Sequence, residues 1–112
     1  MSRDCLFCKI IRREIPSKIA YEDDQVFGFH DIQPAAPIHI LFIPKKHVDS
    51  VLQARVEEPV VSLLSDRAVK VAEQLGLQTT GFRLLINYGS DAGQTVHHLH
   101  LHLLGGAKLS PL

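Results

Sequence analysis

Four of the seven histidines fall between positions 97 and 102, in the run His97-His98-Leu99-His100-Leu101-His102-Leu103. Strict alternation of polar and apolar residues is the pattern of a half-buried strand, because successive side chains point to opposite faces. The run therefore predicts a strand over 96–103, with His98, His100 and His102 on one face and Leu99, Leu101 and Leu103 on the other. Consecutive imidazoles on that face lie about 6.6 Å apart. The leucine face asks for a covering helix, and the histidine face is left to a pocket or to solvent. Such a row reads in three ways: an exposed polar face, a metal site of neutral imidazoles, or an imidazole nucleophile whose neighbours orient it or carry protons. A period of two held over three histidines argues against the first, and no adjacent carboxylate completes a catalytic metal shell. Periodicity alone does not choose between the last two.

The rest of the chain supplies partners for that strand. The stretch 6–13 predicts a brief helix ending before Pro16, since a residue preceding proline resists the helical region. Residues 19–23 and 26–30 read as strands joined by the turn-like Asp23-Asp24-Gln25. Gln33 to Pro37 is a loop by its two prolines, and 38–43 is a strand closed by Pro44. Residues 60–75 give the one long helix: Val61, Leu64, Ala68, Ala72 and Leu75 recur at helical spacing. Pro59 suits its first position, Glu57 and Glu58 suit the positive end of its dipole, and Gly76 suits its C-terminal cap. After Gly81, residues 82–87 read as a strand and 89–93 as a loop, while Gly105-Gly106 stops the histidine strand. Five strands with one long helix and a short N-terminal helix make an α+β domain, an antiparallel sheet with the helix on one face.

The loop Asn87-Tyr88-Gly89-Ser90-Asp91-Ala92-Gly93-Gln94-Thr95 leads directly into the histidines. Glycines let backbone N–H groups approach an anion closely, and Thr95 adds a hydroxyl donor. In that position the loop reads as an oxyanion cradle for a phosphoryl group.

At 112 residues the chain is one domain, residues 1–112, because two would bury too little surface each. Twelve basic residues balance twelve acidic ones, so no strong field recruits a nucleic-acid polymer or an anionic membrane. No segment approaches the ~20 apolar residues of a membrane span, and the start Met1-Ser2-Arg3-Asp4-Cys5 lacks the layout of a secretory signal. A cytoplasmic protein is expected.

The two cysteines stand as Cys5-Leu6-Phe7-Cys8. A redox pair normally follows a strand at a helix start, and here none precedes it. Two reduced cysteines of no special role are one reading, and half of a structural zinc site is another.

In combination, these motifs resemble the histidine triad family. The run from His98 to Leu104 has the His-x-His-x-His-x-x form with apolar residues at x. Gly93-Gln94-Thr95, Leu104-Gly105-Gly106, His30-Asp31-Ile32, Ala36-Pro37-Ile38-His39 and Ile43-Pro44-Lys45-Lys46-His47 resemble the Hint branch, so the likeness runs from about Cys5 to Gly106. The resemblance implies a purine nucleoside phosphoramidase working through a covalent nucleotidyl-histidine, with no catalytic cofactor. His100 would be the nucleophile, and His102 would contact the α-phosphate. His39 would support the nucleophile from behind. Asn87, Gly93 and Thr95 would hold the phosphate or the leaving amine, and Asp31 would bond the ribose hydroxyls. Ile32, Phe7 and Phe29 would surround the base. Zinc-binding relatives imply that His47 and His98 complete a Cys₂His₂ site with Cys5 and Cys8. Family members are homodimers, with the long helix and a central strand at the interface. The chain departs from the pattern at His97, where relatives often carry an aromatic residue, at Thr95, where serine is common, and in a tail without tryptophan. The alternatives are a dinucleoside polyphosphate hydrolase of the same family and a nucleotide- or metal-binding module without turnover.

Overall fold

The computed structural model describes residues 5–55 and 59–112; Met1 to Asp4, and the place of Glu57 and Glu58 beside the helix dipole, lie outside them. Its elements are α1 (Leu6–Ile11), β1 (Ile19–Glu22), β2 (Val26–His30), β3 (Ile38–Pro44), α2 (Val51–Ala54), α3 (Val60–Gln74), β4 (Phe82–Leu85) and β5 (Leu101–Gly105). The strands form one antiparallel sheet in the order β1-β2-β3-β5-β4, the α+β arrangement expected. No helix among the described residues is long and apolar enough to cross a membrane.

Alternation along the central strands divides the core in two. Val26, Ile40, Phe42, Leu101 and Leu103 point to one face and pack against Leu64, Ala68, Val71 and Ala72 of α3. Phe27, Phe29, Leu41 and Ile43 point to the other, where Phe7 and Ile10 of α1 cover them. The sheet is therefore covered on both sides, not on one, which explains why β2 and β3 read as near-continuous apolar runs. The small Ala68 and Ala72 let α3 lie close to the sheet. Gly28 serves the same face: a Cβ there would stand 3.0 Å from the Phe42 ring.

Helix α1 and strands β1 and β3 end within two residues of expectation, and β5 runs on to Gly105; three further boundaries differ, each for a physical reason. Helix α3 stops at Gln74, so Leu75 is the C-cap and half-exposed instead of continuing the apolar stripe. Gly76 at φ +76° turns the chain back. The Gly76 N–H then donates to Glu73 O and the Leu77 N–H to Ala72 O, a Schellman closure that buries Leu77 in place of Leu75. Strand β4 ends at Leu85, where its pairing with His102 stops. Strand β5 begins only at Leu101. Pairing with β3 ends at Phe42 opposite Leu101, and the preceding segment leaves the ladder to meet the loop after β3. There the Leu99 N–H donates to Val48 O at 2.6 Å, and the His98 Nε2–H donates to Pro44 O at 2.9 Å.

Candidate active site and metal-ligand cluster

The alternation survives where the ladder does not. Leu99, Leu101 and Leu103 are all buried under α3, while His98, His100 and His102 lie on the α1 side. The three imidazoles nevertheless have different surroundings. His100 and His102 line a cleft of about 420 Å³ and their rings are 5.1 Å apart. His98 is fully buried and does not line it. His97 is exposed and does not line the cleft.

Hydrogen bonds settle which nitrogen of each ring carries the proton. The His100 Nδ1 stands 2.8 Å from the His98 carbonyl oxygen; an acceptor there requires Nδ1–H, so the lone pair is on Nε2, toward the cleft. Burial pushes His100 below the usual histidine value, although the bond to His98 O opposes this, so the ring is neutral near pH 7 and its Nε2 lone pair is available. Phe7 packs edge-on against it with centroids 5.1 Å apart.

A second chain of bonds fixes His102. The Ala35 N–H donates to His39 Nδ1 at 3.0 Å, which leaves the proton of His39 on Nε2. That Nε2–H donates to His102 Nδ1 at 2.9 Å, so His102 carries its own proton on Nε2. His102 Nε2 is buried and has no hydrogen-bond partner among the described residues. Such a group costs free energy unless a ligand completes it. The ring of His39 thus bonds to Ala35 and His102 and not to His100, the histidine that the resemblance placed it behind. Burial lowers His39, and burial followed by repulsion from His100 and His39 pushes His102 down to about 4.

The other residues implied for nucleotide binding meet in the same cleft: Phe7, Phe29, Asp31, Ile32, Asn87, Gly93 and Thr95. Asp31 accepts the Gln33 N–H on one oxygen and lies 3.5 Å from His39 Nε2 with the other. Ile10, Ile15 and Leu41 add apolar wall, and Ser17, His30 and Gln33 add polar groups. Ile10 had a sequence signal, because a helix puts it three residues from Phe7 on the same face.

The glycine loop differs from the expected cradle. Its amides are occupied within the turn: Gly93 N–H donates to Ser90 O, Gln94 N–H to Gly89 O, and Gly89 N–H to the Gln94 side chain. Gln94 is buried and also donates to Asp49 O and Val96 O. The loop is braced from within, so what it can offer an anion in the cleft are the side chains of Asn87 and Thr95, beside the His102 Nε2–H of β5.

Behind the cleft, the ligand atoms of Cys5, Cys8, His47 and His98 all lie within 4.8 Å of one another. His98 Nδ1 is 3.3 Å from Cys5 Sγ and 3.5 Å from Cys8 Sγ, and His47 Nδ1 is 3.3 Å from Cys8 Sγ. His98 Nε2 donates to Pro44 O, and His47 Nε2 donates to the Asp49 carboxylate. Both rings therefore turn an Nδ1 lone pair toward the thiols, with the outer nitrogen held by an oxygen as metal-ligating histidines usually are. Two thiols and two such imidazoles fit a closed tetrahedral metal site with no position for substrate. Cys5 is partly exposed, Cys8 is buried, and neither is in a disulfide.

Comparison with known proteins places this geometry. The HIT domain family model matches residues 12–109. The purine nucleoside phosphoramidase of Escherichia coli (strain K12) is 46% identical over 113 residues, covering 100% of this chain and 95% of its own length. An uncharacterized HIT-like protein of Synechococcus elongatus is 49% identical over 113 residues, covering 98% and 96% respectively. Among solved structures, a HIT family hydrolase from Clostridium thermocellum has a TM-score of 0.92 at 49% identity, covering 98% of this chain and 96% of that one. A histidine triad protein from Clostridium difficile has a TM-score of 0.94 at 49% identity over the same shares. With its motif, its sheet order and these relatives in agreement, the chain belongs to the histidine triad (HIT) family.

Proposed function

We propose that this protein is a nucleotide phosphoramidase, hydrolysing purine nucleoside 5′-phosphoramidates to the nucleoside monophosphate and an amine. The observation that carries the reading is the pair of complementary tautomers in one cleft: His100 offers an Nε2 lone pair, and His102 offers an unpartnered Nε2–H. One is what a nucleophile needs, and the other is what a phosphoryl oxygen needs. The name of the Escherichia coli relative points to the same chemistry.

In the first displacement the His100 Nε2 lone pair forms a bond to the α-phosphorus while the phosphorus–nitrogen bond to the amine breaks. The departing nitrogen takes a proton relayed from water through the Thr95 hydroxyl. The His102 Nε2–H donates to the phosphoryl oxygen on which charge develops. Because His100 keeps its Nδ1–H on the His98 carbonyl, the nucleotidylated ring is an imidazolium and a good leaving group. Water then attacks phosphorus, passes its proton back through the Thr95 hydroxyl to the hydroxide left by the first displacement, and Nε2 departs neutral. Asp31 binds the ribose hydroxyls, and Phe7, Phe29 and Ile32 enclose the base. The Cys5, Cys8, His47 and His98 cluster holds a structural zinc, which when bound ties α1 to the segment carrying His98. The protein acts in the cytoplasm as a homodimer joined through α3 and a central strand.

The test is AMP release from adenosine 5′-phosphoramidate, without added metal, by the protein and by His100→Ala. Turnover by the first and a loss of at least about 10³-fold in the second support the reading. No turnover by folded wild-type protein sinks it. In that event, cleavage of a diadenosine polyphosphate would identify the polyphosphate hydrolase, and AMP binding alone the binding module.

A further inference from the structure

We propose that the Cys5–Cys8–His47–His98 cluster is a positioning device for His100, and that Cys5, Cys8 and His47 are positioning residues for a reaction none of them touches. The inference rests on His100 being the nucleophile of the proposed reaction.

None of the four ligands lines the cleft. They nevertheless reach His100 by two routes. The first is the His98 main chain. The imidazole of His98 lies among the thiols, and its carbonyl oxygen is the acceptor that keeps the His100 proton on Nδ1. That peptide lies outside the β5 ladder, which starts at Leu101. It is located by the Leu99 N–H on Val48 O and by the two ends of the His98 ring, one on Pro44 O and one on the cysteines. Loosening the ring at the cysteine end therefore loosens the carbonyl that selects the tautomer.

The second route is Phe7, which stands between Cys5 and Cys8 in the chain. Its ring packs edge-on against His100 at 5.1 Å and lies 6.0 Å from the ring of His98. The helix that carries it, α1, has six residues, too few to persist on its own propensity. Its N-cap is the Cys5 sulfur, which accepts the Cys8 N–H at 3.4 Å. A metal gripping both thiols and both imidazoles would clamp α1, and Phe7 with it, against the segment 98–100. Without that clamp His100 loses a fixed acceptor on one side and a packing partner on the other. The proton then spends time on Nε2, and a ring with Nε2–H cannot attack phosphorus.

A cluster that merely stabilised the fold would lower the melting temperature without moving this proton, so the tautomer is the discriminating readout. The experiment uses ¹⁵N-histidine-labelled protein, zinc-loaded and chelated, at a temperature where circular dichroism shows both folded. Expected in the loaded form is a single Nδ1–H signal for His100. On chelation it becomes a tautomer mixture and kcat for adenosine 5′-phosphoramidate falls about 10- to 100-fold, while the AMP Kd moves only a few-fold; returning zinc restores both. Asp49→Asn keeps all four ligands but weakens the hold on His47. It gives a chain whose zinc can be titrated in and out should full chelation unfold the wild type, and both readouts should track occupancy. Leu64→Ala, in α3 on the face of the sheet opposite α1, should lower the melting temperature yet leave tautomer and kcat unchanged. A folded, zinc-free protein with wild-type kcat and an unchanged His100 signal would overturn the proposal, as would a matching kcat loss in Leu64→Ala. If zinc-loaded wild-type protein turns over no phosphoramidate, the proposed function fails, while the NMR comparison still decides the positioning role.

Discussion

A histidine in a cleft can be nucleophile, donor or spectator, and here its second nitrogen decides which. His100 has a carbonyl on Nδ1, and His102 has another imidazole there, so the two rings present opposite groups to the same space. The consequence is measurable residue by residue. His102→Phe keeps a ring of similar breadth but removes the Nε2–H, and kcat should fall about 10²- to 10³-fold, as for the loss of one oxyanion donor. His39→Leu should reproduce part of that loss, because His102 then loses the donor on its Nδ1 and its own proton is no longer confined to Nε2. Steady-state kinetics with adenosine 5′-phosphoramidate check both. A His39→Leu protein with wild-type kcat would show that the Ala35–His39–His102 chain does not set the tautomer.

Two glycines show how differently the elements use the same residue. Gly28 sits in β2 because the Phe42 ring lies across it: a Cβ would approach that ring to 3.0 Å and the Tyr21 Cβ to 3.3 Å. Gly28→Ala should cost about 1–3 kcal/mol through overpacking. Gly76 has open space around it but a φ of +76°, so Gly76→Ala should cost about 1 kcal/mol through backbone strain alone. Urea titration of the two variants separates the mechanisms: adding Phe42→Leu, which yields space, should recover part of the first loss and none of the second. The elements themselves were legible wherever a period repeated, as in the histidine–leucine run and the α3 stripe. They were not where tertiary bonds intervene. Helix α2 has four residues and rests on a Ser50 cap to the Leu52 N–H, and β5 starts late because His98 leaves the ladder for Pro44 O. The cleft was legible through motifs, since residues from α1, β2 and the Thr95 loop converge without any shared period. The Gln94 brace was not, because a buried amide bonding three backbone groups gives no pattern along the chain.

At the scale of the molecule, buried histidines and one buttressed carboxylate divide acid sensitivity into two windows. Burial holds His39 and His102 below the usual histidine value, His102 at about 4. Between the unfolded value of roughly 6.5 and 4, the unfolded chain binds more protons than the folded one. Their contribution is therefore complete above pH 6.5 and is lost as pH falls toward 4. Asp23 works lower. Burial alone would raise its carboxyl, yet Tyr21, Arg67 and the amides of Gln25 and Val26 donate to it at 2.7–2.8 Å and hold it well below the carboxylate range. A depressed acid stabilises above its unfolded value of about 3.9 and loses that contribution as pH falls further. Because Arg67 belongs to α3 and Asp23 to the turn between β1 and β2, protonating Asp23 weakens one polar tie between the first hairpin and the long helix. Guanidinium midpoints measured from pH 8 to pH 2.5 should thus fall in two stages. The difference between wild type and His102→Gln cancels what the two share, including protonation of the metal ligands, and should be confined to the stage between pH 6.5 and 4. Asp23→Asn should flatten only the stage below pH 4. A wild-type curve that is level down to pH 4 would mean that burying these imidazoles is not coupled to folding, and that the lone Nε2–H of His102 is satisfied by solvent in the resting protein.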